Sequence, residues 1–339
     1  MCGICGTVGS FERVSVEKML ARIEHRGPDD AGIYETSGAQ LGHRRLSIID
    51  LSAAGHQPMP DATGRYWLTY NGEIYNFKAL REELRGLGHE FVSATDSEVI
   101  VHAYAEWGAA CLGRFNGMFA LAIWDAERRV LFAARDRLGI KPFYWTITEQ
   151  GFAFASEIKA FLDLPGFDRT VDFEALNQYL TFLWVPDPRT IFRSVRKLPP
   201  GHYLYYSEGD TGPAITEFWD VRFDVDRTTK ADDWRERLLE GLGAAVERRL
   251  IADVPLGAFL SGGVDSSLIV ALMTDRMDRA VQTYTIGFRE EDQRYDIQED
   301  DVAYARKVAD LFHTDASERI MQPDVMDLMP RLVLAMDEP

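Results

Sequence analysis

The chain has 339 residues, 46% of them hydrophobic and 27% charged, which is enough for two globular domains with ordinary cores. Its formal net charge is −17 with no Lys/Arg run, so nucleic acid is not an expected partner and nothing draws the chain to an anionic membrane. No apolar stretch approaches the ~20 residues that span a bilayer, Met1–Gly6 lacks the regions of a secretory signal, and the odd cysteine count makes no disulfide framework; the expected compartment is the cytoplasm.

In chain order, the first feature is Met1-Cys2-Gly3-Ile4. If the initiator methionine is removed, Cys2 carries a thiol nucleophile and a free α-amine together. That amine titrates near ~7.7–8.0, so at neutral pH it can take a proton and act as the base for its own thiol. On these residues alone, a plain small residue after the start stays open. Cys2 and Cys5 form a C-x-x-C, but no second Cys/His pair lies nearby to complete a zinc site. Cys111 reads as a buried small hydrophobe.

Apolar runs of strand length follow at Gln40–Leu51, Arg65–Tyr70, Met118–Trp124, Arg129–Ala134 and Phe152–Ala155. Helical spacing appears at Phe77–Leu87 and Ser97–Trp107, the latter with Asp96 as a candidate N-cap. Lys197-Leu198-Pro199-Pro200-Gly201 and the polar stretch Ser207–Thr216 punctuate the chain, which divides into domains over 2–212 and 213–339. The second part opens with an amphipathic helix over Lys230–Leu250. Then come a strand at Pro255–Leu260, a glycine turn, a helix at Ser267–Arg276, a strand at Val281–Phe288 and a helix at Asp300–Phe312. That alternation predicts a parallel sheet with crossovers.

The glycine turn, Ser261-Gly262-Gly263-Val264-Asp265-Ser266-Ser267, leaves a strand and enters a helix. It offers backbone N–H groups, hydroxyls and a helix N-terminus to an anion. It lacks the spacing and lysine of a Walker A loop. Asp265 would repel a bare phosphate and makes sense as a ligand for Mg²⁺ on a pyrophosphate. A serine-rich turn is the plain alternative.

These residues carry a resemblance. Ser261–Ser267 resembles the pyrophosphate loop of synthetases that split ATP into AMP and pyrophosphate, and Cys2-Gly3-Ile4 resembles the start of class II glutamine amidotransferases. Together, in this order, they resemble the glutamine-hydrolysing asparagine synthetases over essentially the whole chain. The resemblance implies an α+β N-terminal-nucleophile αββα sandwich, followed by part of an α/β parallel-sheet ATP-pyrophosphatase domain. His43–Asp50 is similar to the family's glutamine-binding strand, which puts Arg45 on the substrate carboxylate with Leu46, Ser47, Ile48 and Ile49 beside it. Asn71-Gly72-Glu73 resembles the oxyanion segment, with Asn71 and Gly72 as donors, and Glu73 and Asp96 on the α-amino group of glutamine. Leu260 and Ile286 match positions lining the family's adenine pocket. His25–Asp29 resembles a loop over the glutamine pocket, whereas Arg135–Pro142 and Ser156–Ala160 also match and are assigned structural roles.

The implied chemistry begins with glutamine hydrolysis at Cys2. Ammonia then amidates aspartate activated as an acyl adenylate by Mg-ATP, using ATP and Mg²⁺ as cofactors. A different carboxylate acceptor is the alternative, and a plain glutaminase or a non-catalytic glutamine sensor are further rivals. The family carries a second acidic, glycine-containing loop that is absent before Pro339. The expectation is therefore a fragment or a truncated product, with a working glutaminase half that makes little amide product by itself. Oligomeric state is open, a homodimer included.

Overall fold

The computed structural model describes residues 1–288, 301–322 and 325–338. By contact it divides into one unit of Met1–Arg222 with Arg331–Pro339 and a second of Phe223–Pro330. Among the described residues, no helix is long and apolar enough to cross a membrane.

The first unit is built on antiparallel ladders. Its strands and helices run β1 (Gly3–Gly9), α1 (Arg13–Arg22), β2 (Asp30–Thr36), β3 (Ala39–Arg45), β4 (Met59–Pro60), β5 (Tyr66–Ile74), α2 (Phe77–Gly86), α3 (Asp96–Trp107), α4 (Cys111–Arg114), β6 (Gly117–Asp125), β7 (Val130–Arg135), β8 (Tyr144–Thr148), β9 (Gly151–Ala155), α5 (Phe173–Phe182), β10 (Val195–Lys197), β11 (His202–Ser207) and β12 (Ala214–Glu217). One six-stranded sheet has the order β10-β8-β9-β1-β3-β2 and the other β12-β11-β7-β6-β5-β4. Period-two alternation points Ile4 and Val8 of β1 into the space between the sheets, where they meet Ala122, Trp124 and Leu131 of β6 and β7. Cys5, on the opposite face, packs with Val16, Met19 and Leu20 of α1. β1 is thus buried on both faces, and α3 lies against β5. This is the expected αββα sandwich.

The second unit contains α6 (Ala231–Arg248), β13 (Gly257–Phe259), α7 (Val264–Thr274), β14 (Gln282–Phe288), α8 (Asp301–Phe312) and β15 (Asp315–Met321). β13, β14 and β15 pair in parallel in that order, as the alternation of strand and helix predicts. A last helix, α9 (Val325–Met336), follows.

Several boundaries differ from expectation for physical reasons. The strand expected over Gln40–Leu51 ends at Arg45, because the Arg45 guanidinium folds back onto the carbonyls of Ile49, Asp50 and Ser52 and curls the chain. The cap of α3 is Thr95, whose hydroxyl accepts from the Glu98 N–H at 3.3 Å; Asp96 is the first helical residue and its carboxylate bonds elsewhere. α7 begins at Val264, three residues earlier than expected, since Gly263 already has extended N-cap geometry. Asp300, expected at the start of α8, lies outside the described residues. Cys111 is buried, and burial raises its thiol to about 12.

His43 on β3 is fully buried, and its Nε2–H donates to the Tyr70 carbonyl at 3.0 Å. Burial lowers the imidazole from 6.5 to about 4. The unfolded chain takes up this proton near 6.5 and the folded chain does not, so stability falls as pH drops from 6.5 towards about 4. The loss reaches about 3 kcal/mol. Urea unfolding from pH 7 to pH 4 should show that slope, and His43→Gln should flatten it; equal slopes would contradict the assignment.

Candidate active site

The pairing of β1 with β3 decides where the N-terminus lies. Gly3 is opposite Arg44, which sets Cys2 beside Arg45 and the turn leaving β3. There the Leu46 N–H donates to Cys2 Sγ at 3.4 Å, while the thiol reaches the Leu46 carbonyl at 3.6 Å. Arg26 Nε donates to the Cys2 carbonyl at 3.0 Å. Cys2 is therefore held at both its backbone and its sulfur as it enters a cavity of about 180 Å³.

Every glutamine-pocket residue expected from the sequence lines this cavity except Ser47. Ser47 instead donates its N–H to Asp29 Oδ2 at 2.8 Å, tying down the loop. Gln57, Tyr70, Thr95, Ser97, Met118 and Lys141 also line it. Sequence reading missed these six. Lys141 had a signal, since it stands in the matched Arg135–Pro142 segment assigned to structure alone; its Nζ lies 3.1 Å from Met1 Sδ.

Asn71 is buried, and its amide Nδ2 has no hydrogen-bond partner among the described residues. Leaving a buried donor unmade costs about 1–3 kcal/mol, so this amide is a donor in waiting at the cavity wall. Strand alternation supplies a second one. The Tyr70 N–H donates to Gln57 Oε1 at 2.8 Å and the Ile74 N–H to Asp96 Oδ2 at 2.9 Å, both towards cavity-lining side chains. Gly72 lies midway between them on β5, so its N–H leaves the strand on the same edge. A side chain is not tolerated there: a Cβ on Gly72 would fall 2.2 Å from the Met118 carbonyl oxygen.

The charged groups are held by their own partners. Asp96 accepts from the Tyr70 hydroxyl at 2.9 Å as well as from Ile74, while burial raises its carboxyl pKa against those bonds. Arg45, which the resemblance puts on the substrate carboxylate, bonds the turn that follows it. Nη1 donates to the Ser52 carbonyl, and Nη2 donates to the carbonyls of Ile49 and Asp50. With both hydrogens of Nη2 so used, a bidentate grip on a carboxylate needs Arg45 to exchange partners. Gly55 makes room for this arrangement, since a Cβ there would lie 1.9 Å from Nη2. Burial raises the Cys2 thiol pKa, with the Leu46 N–H opposing, and burial lowers the pKa of the terminal amine on Met1.

In the second unit, Ser261–Ser267 forms the turn from β13 into α7. Gly262 has φ +82°, and a Cβ there would lie 2.6 Å from the Asp301 carbonyl oxygen. Ser261 and Ser266 hydroxyls are 3.1 Å apart, and Ser267 Oγ donates to the Gly263 carbonyl at 2.7 Å. The N-cap residue Gly263 brings no side-chain cap to α7, its own N–H donates to Ser261 Oγ at 3.4 Å, and Asp265 is exposed in the first turn. An uncapped N-terminus with a glycine approach suits an anion, and an exposed carboxylate beside it suits a divalent cation carried by that anion. Ile286 lines a neighbouring cleft with Phe259, Tyr284 and Ser317. Leu260 does not: it is buried, and its N–H and carbonyl bond to the Tyr284 carbonyl and the Thr285 hydroxyl.

Comparison with known proteins bears on both sites. The glutamine amidotransferase domain family matches residues 1–219, and the asparagine synthase family matches residues 237–339. The chain is 36% identical along its whole length to "Asparagine synthetase [glutamine-hydrolyzing] 3" of Bacillus subtilis, of which it covers 57%. It is 33% identical to "Putative asparagine synthetase [glutamine-hydrolyzing] 2" of Methanocaldococcus jannaschii, covering 68% of that protein. The chain thus spans little more than half the length of the Bacillus relative. A solved structure titled as the allosteric regulatory enzyme of purine biosynthesis superposes with a TM-score of 0.50, over 96% of this chain and 81% of the other. At 14% identity that likeness is one of fold.

With Met1 in place the Cys2 thiol has no α-amine of its own and sits above the ordinary thiol range. Its alkylation by iodoacetamide should keep accelerating beyond about pH 9. Removal of Met1 should shift that profile towards neutrality; identical profiles would mean that the amine does not act on the thiol.

Proposed function

We propose, from the premise that this chain belongs to the glutamine-hydrolysing asparagine synthetase family, that its first unit hydrolyses glutamine at Cys2 and its second contributes to ATP-dependent amide synthesis. The observation carrying the first half is the unpartnered Nδ2 of buried Asn71 in the cavity that Cys2 enters. Such a donor has no structural task, and it suits an oxygen that becomes negative only during reaction.

The sequence of events follows from the residues. Loss of Met1 frees the Cys2 α-amine, which takes the thiol proton. Sγ, steadied by the Leu46 N–H, attacks the glutamine carboxamide carbon, and Asn71 Nδ2 with the Gly72 N–H receives the oxyanion. The amine returns its proton to the departing ammonia, and water then cleaves the γ-glutamyl thioester to glutamate. Asp96 and Glu73 offer negative charge to the substrate α-ammonium, and Arg45 offers positive charge to its carboxylate.

In the second unit, family membership implies ATP use. We assign the pyrophosphate to Ser261–Ser267 and Mg²⁺ to Asp265, supported by the uncapped α7 N-terminus and the exposure of that carboxylate. Ile286 would line the adenine side. Mg-ATP, when bound, supplies the adenylyl group that activates an acceptor carboxylate, for which aspartate is the proposed substrate. Pyrophosphate release dependent on aspartate and ammonia tests that acceptor; release with another carboxylate alone would replace it.

Asn71→Ala should lower kcat for glutamine hydrolysis about 10²–10³-fold with a much smaller change in KM. Steady-state glutamate production decides it. A wild-type kcat in that variant would remove Asn71 from the oxyanion site.

A further inference from the structure

A series of buried ionic contacts leads away from Cys2 and plays no part in the hydrolysis itself. The Arg26 guanidinium that holds the Cys2 carbonyl also donates from Nη1 to Glu157 Oε1 at 2.7 Å. Their side chains are only 9% and 10% exposed. The other Glu157 oxygen accepts from Lys159 Nζ, which lies 3.3 Å from Asp337 Oδ1. Asp337 also closes on the backbone of the same turn, accepting from the N–H of Ile158 and, at 2.9 Å, of Lys159. His25 Nε2 meets Glu157 Oε1 at 3.0 Å from the solvent side.

That turn is fastened to the strand of the nucleophile. The Ser156 N–H donates to the Ile4 carbonyl at 2.9 Å, and the Ile4 N–H donates to Ser156 Oγ at 3.0 Å. Arg331–Pro339 belongs by contact to the unit of Cys2, yet its sequence falls within the asparagine synthase match. Within that stretch, Asp337 closes a charge network that reaches Cys2.

We propose that Asp337 is a positioning residue for the Cys2 site, acting through Lys159, Glu157 and Arg26. The inference rests on the reading of Cys2 as the nucleophile. The physical basis is that buried charges hold their geometry only while each is paired. Without Asp337, Lys159 keeps only Glu157 as a carboxylate partner among the described residues and the 156–159 turn loses its clamp. Glu157 then shifts relative to Arg26. Arg26 Nη2 is buried with no hydrogen-bond partner among the described residues, so no hydrogen bond on that side keeps the guanidinium from turning with it. Arg26 grips the Cys2 carbonyl, so a turn there rotates both the thiol and the α-amine. Misplacement of a reacting group by about 1 Å can cost ~10²-fold in rate.

The test uses the full chain with Asp337→Asn, Lys159→Met, the double variant, and Glu338→Gln, whose wild-type carboxylate bonds Lys197 at 2.8 Å off this path. Two readouts are taken: kcat and KM for glutamine, and the ¹³Cβ resonances of labelled Cys2 and Cys111. In Asp337→Asn and Lys159→Met, kcat should fall about tenfold with KM within about twofold, because Arg45 and Asp96 are not on the path. The Cys2 resonance should move while that of Cys111 stays, and the double variant should be no worse than the worse single one. Glu338→Gln should match the parent in both. An unmoved Cys2 resonance in Asp337→Asn overturns the proposal whatever the activity does. A moved resonance in a chain that hydrolyses no glutamine keeps the positioning role and removes the glutaminase reading instead.

Discussion

The antiparallel pairing of β1 with β3 is the constraint on which the first site depends. It sets Cys2 beside Arg45 and Leu46, whose N–H reaches the sulfur. The partner sheet supplies the other half, because β5 brings Asn71 and Gly72 to the same cavity. A slip of one residue in either ladder would turn every side chain to the opposite face. The burial of β1 on both faces opposes such a slip, since Ile4 and Val8 would exchange places with Cys5 against differently shaped surroundings.

Polar satisfaction explains why these residues read as a site and not as core. Asp96 Oδ2 accepts from both the Tyr70 hydroxyl and the Ile74 N–H. Arg45 spends much of its guanidinium on the turn after β3. Of the side chains lining this cavity, Asn71 alone has a buried polar atom, Nδ2, without a partner among the described residues. Buried polar groups are nearly always paired, so at the cavity this donor is placed to meet a ligand oxygen. The second unit reaches a similar end by another route, a helix N-terminus without a side-chain cap following a glycine with positive φ.

Much of this was legible in the sequence, and what was not has identifiable causes. Cys2 and Ser261–Ser267 are short local motifs read from residue type and spacing, whereas Asn71-Gly72 was assigned from the family resemblance. Gln57 reaches the cavity through its bond to the Tyr70 N–H, a pairing no short motif contains, whereas Lys141 stood in a matched segment assigned to structure. The resemblance put Arg45 on the substrate carboxylate, but a strand expected through Leu51 hid the turn at Ile49–Ser52 whose carbonyls its guanidinium bonds. Asp96 looked like a cap because it precedes an apolar helical run, whereas Thr95 takes that role and leaves Asp96 free to meet β5. Ser156–Ala160 was assigned to structure alone, yet Glu157 and Lys159 reach back to the residue that holds Cys2.

The central claim is that Cys2, once N-terminal, is a nucleophile for glutamine. The most direct measurement treats the chain lacking Met1 with an electrophilic ketone analogue of glutamine and maps the adduct by peptide mass. The account predicts a single adduct on Cys2, suppressed by excess glutamine, with Cys5 and Cys111 unmodified. Labelling that glutamine does not suppress, or an adduct elsewhere in place of Cys2, would contradict it.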